Sequence, residues 1–404
     1  MTGPSMPIGL DSRRWQAQPS PVQQPQWQQH RDYQSCCAVL ASSPALVTVR
    51  EIGELRSGLA AVAAGDAQLL QAGDCAESFL EIGQEHINAK LAVLHHLADQ
   101  LAAGTGQEVL RVGRLGGQFA KPRTAAVEHV AGIPLSVFRG HMVNSQEPSP
   151  DARVHDPRRM ITAYAASAEV LHQLRADRAA RATHAGSGLS AGPWSSHDAL
   201  VIDYEANLVR SERDTVFLGS THLPWIGDRT RQPHAFHVQL LSAVANPVAC
   251  KIGPSITTDD LSALCARLDP DRIPGRLTLI VRLGKKVIAE RLPAIVATVR
   301  SGGHPVVWLT DPMHGNTLRS GNGMKTRLLA DIIDEAGEFR RILHRSGAHP
   351  GGLHLEVAAA DVTECLGGMV RDIDQLPMRY TTLCDPRLNP DQAAQLLQSW
   401  YLGI

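Results

Sequence analysis

The sequence predicts an α/β fold, a (β/α)8 TIM barrel with an N-terminal extension, and three observations predict it. Short apolar runs that end in polar, Gly-rich text alternate with helical stretches down the chain. No long antiparallel hairpin signal separates them, as expected for a parallel sheet covered by helices. Nearly every reactive residue falls where an apolar run ends, the end at which a closed barrel gathers its βα-loops. An open doubly wound sheet is the alternative, and the third observation favours the barrel.

In chain order, residues 1 to about 30 are rich in Gln, Pro and Ser and read as an extended arm. VTVREIGELRSGLAAVAAG has helical periodicity and stops at Gly65, a C-terminal cap. The first strand is AQLLQ at 67–71. The same grammar recurs in EVLRVGRLGG, TVFLGSTHLPW, NPVACKIGPS, RLTLIVRLGK, HPVVWLTDPMHGN and GGLHLEVAAAD, with a vaguer eighth strand near ATHAGSGLS, residues 182–190. Helical text between them includes DDLSALCARL, IAERLPAIVATVRSG and MKTRLLADIIDEAGEFRRILHRSG. We therefore expect residues 1–65 to form an arm and helix and residues 66–404 to form the barrel.

Composition narrows the function. The 404 residues are 43% hydrophobic, enough for a large core, and 39 Lys plus Arg balance 40 Asp plus Glu. No global field steers this chain to nucleic acid or an anionic membrane, so anionic ligands must be recognised locally. No apolar run is long enough to span a bilayer, and MTGPSMPIGLDSRRW lacks a signal-peptide core, which predicts a cytoplasmic protein. Seven cysteines without CxxC pairs argue against a disulfide framework or a structural zinc module.

Four metal-capable side chains sit at strand ends: Cys75 in GDCAES, His314 in DPMHGNT, Glu356 in GGLHLEV and Asp385 in TLCDPRLN. One thiolate, one imidazole and two carboxylates suit a divalent transition ion. Their long separations leave open a buried structural cysteine, a capping His and two surface acids. Cations also follow strands: Arg111, Arg114, Lys121, Arg123, Arg229, Arg231, Lys251 and Arg282. Gathered on one rim they would bind phosphate or carboxylate. GNGMKT, 321–326, lacks the Gly a phosphate-binding P-loop needs before Lys and reads as a loop entering a helix. His234 and His237 have metal-compatible spacing but no third ligand nearby, so they read as core or surface histidines. Cys75 and Cys384 could come within disulfide range if the strand ends converge.

Together, LLQAGDCAESF, GQFAKPRT, WIGDRTRQ, NPVACKIGPS, PGRLTLIVRLG, DPMHGNT, GGLHLE, DVTECLGG and RYTTLCDPRLN resemble the class II (plant-type) 3-deoxy-D-arabino-heptulosonate 7-phosphate (DAHP) synthases, in family order and over nearly the whole chain. The resemblance implies a barrel that condenses phosphoenolpyruvate with D-erythrose 4-phosphate and releases phosphate. It implies a divalent metal, Mn2+ or Co2+ before Zn2+ or Fe2+, on Cys75, His314, Glu356 and Asp385. It places phosphoenolpyruvate against Arg114, Lys251, Arg282 and the loop from Trp225 through Asp228 to Arg229, and the aldehyde's phosphate against Lys121, Pro122, Arg123 and Thr124. Lys251 would also carry protons, and a homodimer or larger oligomer is implied.

The chain departs from the family at Asp228 for Glu, Leu283 for Met, His141 for Asp, and Ala358 and Ala359 within a usual Met-Thr-Gly. These departures leave a different aldose or amino-sugar phosphate as an alternative substrate, and a non-catalytic binding paralogue as a further one. The chain is similar to short forms from natural-product pathways such as phenazine clusters, which predicts weak or absent inhibition by Trp, Phe and Tyr.

Overall fold

The protein is described from a computed structural model over residues 21–130, 132–185 and 192–403. Eight parallel strands close into a barrel in sequential order: β1 (Ala67–Gly73), β2 (Glu108–Arg114), β3 (Trp194–Asp198), β4 (Leu223–Ile226), β5 (Val248–Ile252), β6 (Leu277–Val281), β7 (Val307–Thr310) and β8 (Gly352–Glu356), which returns to pair with β1.

Period-two alternation sorts each strand into an inner and an outer face. Along β1, Leu70 and Ala72 join the outer core beneath the helices, while Ala67 and Leu69 join the barrel interior. Leu110 and Val112 do the same on β2. Both faces are buried, which is why these strands read as nearly continuous apolar runs. The inner face turns polar toward the C-terminal ends, where Gln71 pairs in register with His354, and Gly73 with both Arg114 and Glu356. Gly73 has φ +151°, and a Cβ there would lie 2.9 Å from the Arg114 carbonyl oxygen, so the close approach requires glycine.

Ten helices are described: α1 (Tyr33–Ser42), α2 (Val49–Ala64), α3 (Gln84–Thr105), α4 (Arg158–Ala185), α5 (Ile202–Asn207), α6 (Phe236–Ser242), α7 (Thr258–Leu268), α8 (Ile288–Ser301), α9 (Leu329–Arg345) and α10 (Pro390–Leu402). Thr48 and Glu51 form a capping box at the start of α2, and Gly65, at φ +92°, ends it as expected. Leu55, Leu59 and Val62 of α2 pack with Leu69, Leu110, Leu223 and Leu309 of the interior, so this helix seals the barrel floor. The described start of the chain lies along the wall, where Trp27 Nε1 and Tyr33 OH donate to the two carboxylate oxygens of Asp203 at 2.8 and 2.9 Å. Residues 1–20 of the expected arm lie outside the described residues. No described helix is long and apolar enough to cross a membrane.

Two sequence expectations need correction. The eighth strand is Trp194–Asp198; residues 182–185 end α4 and 186–190 lie outside the described residues. TVFLGSTHLPW holds two strands, because Thr215–Leu218 turns back on Val209–Glu212 as a hairpin and only Leu223–Ile226 enters the barrel. Two further short hairpins, Val127–Ser136 and Leu318–Thr326, decorate the loops. The GNGMKT loop tips the latter, and α9 follows it.

Candidate active site

The strand ends and βα-loops enclose a cleft of about 290 Å³ lined by Arg114, Gln118, Lys121, Pro122, Asp198, Trp225, Gly227, Asp228, Arg229, Lys251, Arg282, His314, Thr317 and Asp385. Ten of these fourteen belong to the predicted set. Cys75 and Glu356 lie against the cleft wall, as the contacts below show.

At the base, one ligand-capable atom each from His314, Glu356 and Asp385 lies within 4.8 Å of the others. The Nδ1 of His314 is 2.7 Å from Asp311 Oδ2, which orients the ring so that Nε2 faces Glu356 Oε1 at 3.3 Å. A carboxylate behind a histidine is the usual orienting device of a metal-binding imidazole. Burial opposes charge on Glu356 and Asp385, yet both are held below the usual carboxylate range by Lys121, His314 and Arg327 around them. Two ionised oxygens and an imidazole lone pair fit a divalent cation. Cys75 Sγ lies outside that 4.8 Å set, accepting from Asp385 N at 3.3 Å. Burial would raise its thiol, but a hydrogen bond with Cys384 and the Lys121 ammonium bring it down to about 7. Cys75 and Cys384 are thus neighbours, and both are free thiols.

Above this cluster the cations are fixed by partners. Arg114 donates to Glu356 Oε1 at 3.0 Å and to His354 Nε2 at 2.5 Å. Arg114 is only a donor, so His354 accepts at Nε2 and donates Nδ1–H to Gln71 Oε1 at 2.7 Å. Burial, and then Lys251 and Arg114, hold His354 neutral. Trp225 presents its face to Arg114 at 5.0 Å and to Lys251 at 5.7 Å, holding both without using their hydrogen bonds. Lys251 Nζ pairs with Asp311 Oδ2 at 2.9 Å; burial outweighs that pairing and lowers its pKa to about 8. Asp228 accepts from Gly253 N and Arg231 Nε on Oδ1 and from Arg282 NH1 on Oδ2, so it positions Arg282.

Other predicted residues stand at the rim or elsewhere. Arg229 donates to Thr124 Oγ1 at 2.9 Å. Arg123 turns to Glu128 and the Phe138 carbonyl. Arg111 points outward to Asp99. His237 is buried and hydrogen-bonded to the Leu200 carbonyl, a core histidine as expected. Among the family departures only Asp228 lines the cleft: Leu283 and Ala358 are core residues, Ala359 faces a separate small cavity, and His141 packs edge-on against Phe79 and Phe138.

Sequence reasoning missed Asp198, Asp311, Arg327 and His354. Arg327, fully buried, donates to Glu356 Oε2 at 2.9 Å and to Thr317 Oγ1. The Asp-x-x-His spacing of 311 and 314, and the alternation that puts His354 on the face of Glu356, were signals available in the sequence.

A sequence model described as the class-II DAHP synthetase family matches residues 10–187 and 180–399. The chain belongs to that family. Among relatives, it is 45% identical over 381 residues to a Pseudomonas fluorescens protein named probable phospho-2-dehydro-3-deoxyheptonate aldolase, covering 94% of each chain. It is 38% identical to the phospho-2-dehydro-3-deoxyheptonate aldolase of Streptomyces coelicolor, over 95% of this chain and 94% of that one. It is also 38% identical to the one named AroG from Mycolicibacterium smegmatis, over 93% and 90%. A solved phospho-2-dehydro-3-deoxyheptonate aldolase from Francisella tularensis superposes with TM-score 0.54 at 14% identity, covering 91% of this class II chain and 96% of that one, a likeness of fold alone.

Proposed function

We propose that this class II family member is a 3-deoxy-7-phosphoheptulonate synthase, a transferase that condenses phosphoenolpyruvate with D-erythrose 4-phosphate to give DAHP and phosphate. The observation that carries the reading is one cleft with an imidazole and two carboxylates converging at its base and Arg114, Lys121, Lys251 and Arg282 on its walls. That arrangement supports holding a trianionic enol phosphate beside a metal-polarised carbonyl.

In this reading Cys75, His314, Glu356 and Asp385 hold a divalent ion, Mn2+ or Co2+ before Zn2+ or Fe2+. When bound, it supplies Lewis-acid polarisation of the aldehyde carbonyl. Arg114 and Arg282 bind the carboxylate and phosphate of phosphoenolpyruvate, and Trp225 and Asp228 keep them aimed. Lys251, near pKa 8, carries charge at neutral pH and can pass a proton to the departing phosphate. Lys121 to Thr124 receive the aldehyde's phosphate, while Arg229, at the end of the Trp225 loop, stays with the phosphoenolpyruvate contacts.

A cytoplasmic homodimer or larger oligomer serving specialised metabolism completes the proposal, supported by the natural-product-type resemblance. The test is phosphate release by metal-stripped protein, resupplied with single metals and offered a panel of aldoses. Turnover with erythrose 4-phosphate is expected; turnover with another aldose alone would overturn the substrate assignment.

A further inference from the structure

Asp198 ends β3 with its backbone pinned: its N–H donates to Gln118 Oε1 at 2.9 Å, and its carbonyl accepts from Leu200 N at 2.7 Å. Its side chain is not pinned. Oδ1 is buried with no hydrogen-bond partner among the described residues, although Asp198 lines the cleft. Gly227 faces it, where a Cβ would come within 3.1 Å of Oδ2, so the absence of a side chain there leaves the Oδ2 edge of the carboxylate uncovered. An unpartnered buried carboxylate is costly, and here it stands among groups arranged for anions.

The proposed reaction has one reactant that is neutral and can donate to such an oxygen, namely water. Resting on the function proposed above, we infer that Asp198 is the general base for the water that adds to C2 of phosphoenolpyruvate. As C3 bonds to the aldehyde carbon, the water oxygen bonds to C2 and gives one proton to Asp198. The C2–O bond to phosphate then breaks, its electron pair leaves with phosphate, which takes a proton from Lys251, and the remaining hydroxyl proton passes to Lys251 as C2 becomes a ketone. The proton on Asp198 balances the one taken up by the former aldehyde oxygen.

The groups facing Asp198 are Lys251, Lys121, His197 and Arg114; burial raises its carboxyl first and these cations oppose it, leaving a value of about 6. A base of that strength is matched to neutral operation.

Asp198→Asn keeps shape and removes basicity. We expect kcat to fall by about 10²–10⁴-fold, KM for phosphoenolpyruvate to change little, and the acidic limb of the kcat/KM profile to vanish. Asp198→Glu should retain that limb. Circular dichroism and metal content equal to wild type keep the comparison fair. Wild-type kcat with the limb intact in Asp198→Asn, or a rise in KM alone, would overturn the role. No wild-type turnover with phosphoenolpyruvate and erythrose 4-phosphate would instead sink the function, and this role with it.

Discussion

Lys121 Nζ lies 3.2 Å from Glu356 Oε1 and reaches Asp385 Oδ2 at 3.5 Å, placing an ammonium between two of the carboxylates that converge at the cleft base. Glu356 also receives Arg114 and Arg327, so one fully buried carboxylate answers three buried cations. Burial opposes charge on Lys121, but Glu356, Cys75 and Asp385 outweigh it and raise its pKa.

Glu356→Ala should therefore damage more than catalysis. It leaves Arg114 and Arg327 without their ion-pair partner and Lys121 with Asp385 alone, and removing one partner of a buried ion pair costs about 3–5 kcal/mol. Urea unfolding should show that loss; unchanged stability would mean the cations find other partners or water.

Chelation separates the metal from the fold. Treatment with a strong chelator should abolish phosphate release, and added Mn2+ or Co2+ should restore it. His314→Ala should resist restoration while keeping its circular dichroism spectrum, because His314 is a ligand in the proposed site and only half-buried.

The pKa of Lys251 fixes the sign of a pH effect. Its folded value, about 8, lies below the ordinary 10.5, so between those values the unfolded chain binds more protons and stability rises with pH. Wild type compared with Lys251→Met at pH 8 and pH 10 should show this group's contribution increasing, by up to about 1.4 kcal/mol per pH unit. Over the same window turnover should decline as Lys251 loses its charge.

His354→Leu leaves Arg114 without its Nε2 acceptor and Gln71 Oε1 without its donor. Each stranded buried group costs about 1–3 kcal/mol. Denaturation should register it, and KM for phosphoenolpyruvate should rise while KM for the aldehyde stays near wild type.

Thr124→Val deletes the hydroxyl that accepts from Arg229. An exposed contact of this kind contributes about 1 kcal/mol or less, so KM for erythrose 4-phosphate should rise by up to roughly fivefold and by more than any rise in KM for phosphoenolpyruvate. Equal rises in both would place Thr124 in the wrong subsite.

Most of the barrel was legible because its strands are apolar on both faces. Trp194–Asp198 was not, since WSSHD contains one apolar residue and yet all five are buried. Its two serine hydroxyls are absorbed by partners distant in sequence, Gln71 for Ser196 and Thr221 for Ser195, which no local window reveals. The convergence of His314, Glu356 and Asp385 was foreshadowed by their chemistry at strand ends, whereas Cys75 lies outside that set. Arg327 was hidden because it sits in a loop and its carboxylate partner is on the last strand. The departures at His141, Leu283, Ala358 and Ala359 pointed toward a changed substrate in sequence, but in space they pack away from the cleft.

The β1–β8 seam has a consequence for biosynthesis. Glu356 is the last residue of the last barrel strand, and it is brought beside Arg114 only when that strand docks against β1. A chain emerging from the ribosome carries Arg114, Lys121 and His314 before the carboxylate that contacts all three. Ion loading at the proposed site would then follow ring closure, so a tightly held metal would mark a chain whose synthesis and folding are both finished.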